Sequence, residues 1–78
     1  QRGELVAEEM PLPELVEQLQ RYQDKRIIIA DPDEAGLSVS GVLQLDQPEA
    51  SLSAVAVSLG LQITPLSDTS VLLLKAEQ

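Results

Sequence analysis

Thirteen carboxylates and five basic side chains give this 78-residue chain a formal charge of −8, which disfavours binding to nucleic acid or to anionic lipid. The chain has no cysteine and no histidine, so disulfides, histidine-based acid–base catalysis and the usual zinc sites are excluded. The length corresponds to a single domain, residues 1–78, and its core must consist of Leu, Val, Ile and Ala because Tyr22 is the only aromatic residue.

The first part of the chain predicts a strand followed by a helix. Leu5 to Met10 is a candidate edge strand, because Pro11 and Pro13 make a continuous helix across them unfavourable. Pro13 suits the first position of the helix, where its missing N–H costs nothing. The apolar residues recur at helical spacing, and they are Leu12, Leu15, Val16, Leu19 and Tyr22.

The middle of the chain predicts two strands joined by an acidic turn. Ile27 to Ala30 is the first strand, Asp31 to Gly36 is the turn, and Leu37 to Leu45 is the second strand. Alternation places Val42 on the polar face of the second strand. The apolar face of that strand consists of Leu37, Val39, Leu43 and Leu45.

The acidic turn begins like a calcium-binding loop. Acids occupy positions 1 and 3, and Gly36 is at position 6. A calcium loop needs an acidic bidentate ligand at position 12, and here that position is Val42. We therefore expect a solvated acidic turn, with no metal and no other cofactor.

The last part of the chain predicts a second helix and two strands. Asp46 is the expected N-cap, with Glu49 three residues on, and Gly60 is the expected stop. This helix is apolar on most sides, so we expect it to be covered on both sides, Val57 included. Leu61 to Thr64 alternates between apolar and polar residues and predicts a strand. A second, mainly apolar strand is predicted from Ser70 to Lys75, with a turn from Pro65 to Thr69 between the two.

These residues together resemble a known family. The most specific features are Arg21-Tyr22, Asp31-Pro32 and Val39-Ser40-Gly41-Val42, and the resemblance extends roughly from Met10 to Leu74. They resemble the C-terminal periplasmic part of FecR-like transmembrane anti-sigma regulators. Glu34 stands where an apolar residue is common in that family, and Leu43 stands where Phe is frequent.

The resemblance implies a fold and a partner. The fold would be an α+β, STN-like domain (secretin and TonB N-terminus) of order β-α-β then β-α-β-β, with two helices between two small sheets. Gln1 does not look like a native start, so we expect the C-terminal fragment of a longer regulator, itself a single-pass inner-membrane protein. This fragment would lie in the periplasm without contacting the membrane. It would bind the signalling domain of a TonB-dependent siderophore transducer and report ligand occupancy to an extracytoplasmic-function sigma factor, thereby regulating iron transport.

Alternatives remain open at this point. The chain could be the equivalent STN domain of a transducer or of a secretin. A small enzyme or ligand-binding domain is a third class, which the missing His, Cys and aromatic residues disfavour. We expect no catalytic residue, since the serines lack a His or Lys partner at a recognisable spacing.

A sheet with one covered face needs apolar side chains on that face only. The candidate partner-binding residues are mainly apolar side chains in excess of that need. Arg21-Tyr22 has two interpretations of equal weight, a partner contact or a core Tyr22 beside a solvated Arg21. The candidate contacts are Val42 and Leu43, then Leu72 and Leu74, with Arg21 as a rim charge.

Overall fold

Two short helices lie between two small sheets. The computed structural model describes residues 3–75. In chain order the elements are β1 (Glu4–Pro11), α1 (Leu12–Gln20), β2 (Arg26–Ile29), a 3₁₀ helix (Pro32–Gly36), β3 (Ser38–Gln44), α2 (Pro48–Leu59), β4 (Leu61–Ser67) and β5 (Ser70–Lys75).

The strands divide between a two-stranded and a three-stranded sheet. β1 and β3 pair antiparallel, while β5 lies between β2, which is parallel to it, and β4, which is antiparallel. Helix α1 contacts β1 and β3 on one side and β2 on the other, and α2 contacts β3 and β4. Each helix therefore packs against both sheets, and the predicted α+β fold with two helices between two sheets is confirmed.

The core is made of aliphatic side chains. The apolar stripe of α1 is buried as the periodicity predicts, and the central strand β5 adds Val71 and Leu73 from its inner face. The side chains with the least exposure are those of Leu12, Leu15, Leu19 and Leu73. Burying each one contributes about 1.5–3 kcal/mol, so these four leucines form the centre of the fold.

Tyr22 does not belong to this core. It follows the end of α1 and is 49 % exposed, so the interpretation of Tyr22 as a core residue is wrong. The stripe ends at Leu19, because the helix stops at Gln20 and the chain turns away before it reaches the next helical position.

Helix α2 is covered on one side only, which corrects the prediction of two covered sides. Val55 is 3 % exposed, whereas Val57 is 81 % exposed and Ala54 is also open to solvent. The buried residues of α2, among them Leu52, Val55 and Ala56, lie on one face of the helix, and sheets of two and three strands do not extend around it.

The ends of α2 differ in how well the sequence predicts them. Gly60 ends the helix in the left-handed conformation, with φ of 73°, as predicted. Asp46 is not the N-cap, since Gln47 occupies that position and no side chain caps the helix. The Ser51 hydroxyl instead donates a hydrogen bond of 2.7 Å to the Gln44 carbonyl, which ties the first turn of α2 to the end of β3.

The last two strands form a longer hairpin than the sequence predicts. β4 continues through Pro65 to Ser67, so the predicted turn from Pro65 to Thr69 shrinks to its last residues. The register shifts between Pro65 and Ser67, and Leu66 at this bulge is 53 % exposed. A bulge on an edge strand accommodates a proline that cannot donate to the ladder.

The open side of α2 gives a matched pair of substitutions. We expect Val55→Asp to lower the free energy of unfolding by several kcal/mol, or to prevent folding, because it buries an unpaired charge. We expect Val57→Asp to stay within about 1 kcal/mol of the parent, since its side chain lies in water. Urea denaturation followed by circular dichroism measures both. Equal destabilisation by the two variants would contradict this orientation of α2.

Candidate functional site

The outer face of the two-stranded sheet carries an exposed pair of valines. Val6 on β1 lies directly opposite Val42 on β3, and they are 63 % and 58 % exposed. The next residues along, Leu5 and Leu43, also pair with each other and point to the helices. Cross-strand neighbours on one face lie about 4.5–5.5 Å apart, so the valine pair forms one continuous apolar patch.

Carboxylates flank the valine pair along β1. Glu4, Glu8 and Glu9 are exposed on the same strand as Val6. The register shifts between Ala7 and Met10, and Glu9 adopts a positive φ of 51° there. The Glu9 N–H donates to the Ser40 hydroxyl oxygen at 3.0 Å, which holds the bulge. The patch therefore has an apolar centre and an acidic rim.

The outer face of the three-stranded sheet carries a second apolar surface. Leu72 on the central strand lies between Ile28 on β2 and Thr64 on β4, and Leu74 lies opposite Gln62. Ile28, Leu72 and Leu74 are half-buried, whereas Val71 and Leu73 on the inner face are buried. This outer row, defined as Ile28, Leu72 and Leu74, is flatter and less exposed than the valine pair.

The structure separates the predicted contact residues. Val42 lies on one outer sheet face, and Leu72 and Leu74 lie on the other, so these residues do not form a single surface. Arg21 is exposed at the end of α1. Leu43 is a core residue at 9 % exposure, which corrects its assignment as a contact. Neighbouring residues on a strand point to opposite faces, so exposing Val42 requires burying Leu43.

Two residues of interest were missed from the sequence. The sequence does not predict Val6 as the cross-strand partner of Val42. The local indication of its exposure is the alternation along β1, in which Val6 lies between the half-buried Leu5 and the buried Ala7. Glu34 was predicted to lie in a solvated turn, and it is 2 % exposed. Its signal was the family resemblance, in which an apolar residue is common at this position.

Glu34 is a buried acid, and within residues 3–75 neither of its carboxylate oxygens has a hydrogen-bond partner. It lies in the 3₁₀ helix, whose start is fixed by the Asp31 carboxylate accepting a hydrogen bond of 3.0 Å from the Asp33 N–H. Burial raises the pKa of Glu34 above its ordinary value, and the charge of Asp31 raises it further. Nearby backbone N–H groups of Asp31 and Lys75, and the Lys75 ammonium, offset part of this increase.

Glu34 lines a cleft of about 130 Å³. The cleft lies between the 3₁₀ helix, the end of α2, the start of β4 and the end of β5. Its other lining residues are Asp31, Asp33, Leu37, Leu59, Leu61 and Lys75. The cleft thus combines an acidic mouth, aliphatic walls and an unpartnered buried carboxylate.

A larger cleft of about 200 Å³ lies at the start of α2. Its lining includes two charged residues, Lys25 and Glu49, and the apolar side chains of Leu52, Ile63 and Val71. Among the described residues, the buried polar atoms that lack a partner all belong to Glu34, so this larger cleft has no comparable group.

The described residues show no cluster that could hold a metal ion. Within residues 3–75, no three acidic side chains converge closely enough to hold a metal ion. Over the same residues, neither helix is long and apolar enough to cross a membrane. The candidate features for recognition in the described chain are two apolar sheet faces and one buried acid.

The raised pKa of Glu34 gives a pH dependence with a defined sign. The folded domain holds this proton more tightly than the unfolded chain, so the resulting stabilisation is full below the ordinary pKa of 4.5. It is lost as the pH rises through the raised folded-state pKa. We expect Glu34→Met, which keeps an unbranched side chain without the charge, to be more stable than the parent at pH 7, with the gap narrowing at pH 4.

Urea denaturation between pH 4 and pH 7 measures this gap. The matched control is Glu14→Gln, which removes one exposed negative charge from the first turn of α1 and should not be more stable than the parent at pH 7. A Glu34→Met variant whose stability relative to the parent does not change with pH would contradict the assignment of a buried, poorly compensated carboxylate.

The fold is shared with solved structures. Two crystal structures of a "putative anti-sigma factor" from Parabacteroides distasonis superpose on the chain with TM-scores of 0.79 and 0.80, at 22 % sequence identity in each case. The sequence matches no protein-family model. No curated protein matches it either.

The similarity covers 97 % of this chain but only 35 % of the Parabacteroides distasonis protein. The chain thus spans about a third of the length of the structures that it resembles. At this level of identity the similarity shows the fold alone.

Proposed function

We propose that this domain is a protein-interaction module of an anti-sigma regulator. The observation that carries the proposal is the valine pair, in which two exposed apolar side chains face each other across a sheet. The other exposed large apolar residues of the described chain lie apart from one another, on separate segments: Tyr22, Val57 and Leu66. Exposed apolar patches with polar rims are typical of protein interfaces. The shared fold with the Parabacteroides distasonis protein, whose name gives an anti-sigma role, supports the same class of function.

The specific role proposed is that of the periplasmic signalling module of a FecR-like regulator. Its partner is the N-terminal signalling domain of a TonB-dependent siderophore transducer, and the output is control of an extracytoplasmic-function sigma factor. The resemblance from Met10 to Leu74, which includes Asp31-Pro32 and Val39-Ser40-Gly41-Val42, supports this role.

The valine pair is a better contact centre than the outer row. Its two side chains are more exposed, and each belongs to a strand that pairs with one other strand in the described part of the chain. A partner can therefore cover Val6 and Val42 and also extend the sheet along a free edge of β1 or β3. The carboxylates on β1 favour a partner with basic residues at the rim.

Calorimetric titration of the cognate signalling domain tests this proposal. We expect Val42→Arg and Val6→Arg each to weaken binding by at least about 2 kcal/mol, because each places a charge at a central apolar contact. Leu72→Arg should have a smaller effect. Arg21→Ala should change mainly the association rate and its salt dependence, if Arg21 lies at the rim.

The matched control is Val57→Arg, which adds the same charge at an exposed position on α2, away from both sheet faces. Circular dichroism establishes that each variant is folded. If Val42→Arg and Val6→Arg bind like Val57→Arg, the valine pair is not the contact. If the parent binds no signalling domain from its own organism, with its full periplasmic region attached, the specific role is wrong.

A further inference from the structure

The cleft at Glu34 has the composition of a socket for a cationic side chain. We propose that it accepts an arginine side chain from a partner protein, with the guanidinium held by the Glu34 carboxylate and the methylene stem held between Leu37, Leu59 and Leu61. The cleft is separate from the valine pair and the outer row, so the proposal goes beyond the function proposed above.

The first support is the unpartnered state of Glu34. A carboxylate that is 2 % exposed, with neither oxygen in hydrogen-bond geometry to a described residue, is costly to keep in a small domain, because the nearby backbone N–H groups of Asp31 and Lys75 replace only part of its lost hydration. A cation that donates to both oxygens removes that cost. Docking an arginine would therefore convert a destabilising feature of the free domain into a favourable contact of the complex.

The second support is the number of free oxygens. The planar guanidinium presents parallel N–H donors that bind both oxygens of one carboxylate, whereas an ammonium acts as a point charge. Since both oxygens of Glu34 lack a partner, the site favours arginine over lysine.

The third support is the lining of the cleft. Leu37, Leu59 and Leu61 supply aliphatic walls, and the arginine stem is a run of methylene groups that packs on such surfaces. Asp31 and Asp33 also line the cleft, and their charges attract a cation toward it. The net charge of the whole chain, −8, acts in the same direction.

Lys75 is the internal competitor for the same carboxylate. It is exposed and lines the cleft, and its charge lowers the pKa of Glu34, but its ammonium does not hydrogen-bond to either oxygen. Because Lys75 lines the same cleft, the proposal requires its side chain to move aside when a guanidinium enters. Exposed side chains change rotamer in picoseconds to nanoseconds, so this displacement presents little barrier.

The test uses a small probe with the arginine side chain alone. N-acetyl-arginine amide is titrated at pH 7 into the ¹⁵N-labelled domain, and ¹H–¹⁵N chemical shifts are followed. The matched probe is N-acetyl-citrulline amide, which has the same shape without the charge. We expect the arginine probe, with millimolar affinity, to shift resonances at Glu34, Gly36 and Leu61, and the citrulline probe to leave them unchanged. N-acetyl-lysine amide should bind more weakly than the arginine probe.

Variants of the domain make the assignment specific. Glu34→Gln keeps the size of the side chain and should bind the arginine probe about tenfold more weakly or worse, as the loss of a charge-assisted pair requires. Glu14→Gln makes the same change in net charge at an exposed position on α1 and should bind like the parent. Lys75→Met removes the competitor and should bind more tightly.

Three results would overturn the proposal. One is binding by Glu34→Gln that equals that of Glu14→Gln. Another is a citrulline probe that shifts the cleft resonances as the arginine probe does. The third is a set of shifts spread evenly over the exposed carboxylates of the domain, which would mean general attraction to its negative charge.

Discussion

The fold depends on a thin layer of leucine side chains that both sheets share. Leu12, Leu15 and Leu19 project from one helix, and Leu73 projects from the middle of the three-stranded sheet, and all four are fully buried. With no aromatic side chain in this layer, few large residues carry the stability, and a domain of this size is marginally stable to begin with. Helix and sheet positions that face the layer are therefore constrained, and those that face away are free to serve other purposes.

The outward positions divide into two kinds of surface. The sheet faces present apolar side chains on a regular, rigid backbone, which suits recognition by area and shape. The region of the 3₁₀ helix presents charge, with one carboxylate taken out of water. Recognition at the first surface is governed by apolar burial and recognition at the second by hydrogen bonding, so a single partner could engage them with different sensitivities to salt and pH.

The sequence predicts the fold well where the signal is local. The stripe on α1 as far as Leu19, the stop at Gly60 and the alternation along β3 each depend on residues a few positions apart, and the structure confirms these three features. The alternation along β3 also predicts that Leu43 lies on the apolar, inner face of the strand. The assignment of Leu43 as a partner contact is inconsistent with that prediction.

The candidate surfaces were harder to predict because exposure depends on distant parts of the chain. Whether Val57 is covered depends on how far the two sheets extend around α2, and the sequence of α2 does not indicate how wide those sheets are. The pairing of Val6 with Val42 joins strands that α1, β2 and the 3₁₀ helix separate in the chain. The 3₁₀ helix that carries Glu34 contacts α1 and β2, and Glu34 shares its cleft with residues from α2, β4 and β5, so a motif limited to its own turn describes it as solvated.

The order of the strands in the three-stranded sheet has a consequence for biosynthesis. β5 comes after β2 and β4 in the chain, yet it lies between them and supplies all the hydrogen bonds that join them into a sheet. During translation β2 and β4 therefore emerge without their common neighbour, and the leucine layer lacks Leu73 until Lys75 has left the ribosome. Non-local pairing of this kind is slow and leaves strand edges exposed in the meantime. A nascent chain halted before Ser70 would carry two unpaired, aliphatic strands, which makes it a natural substrate for chaperones and quality-control proteases.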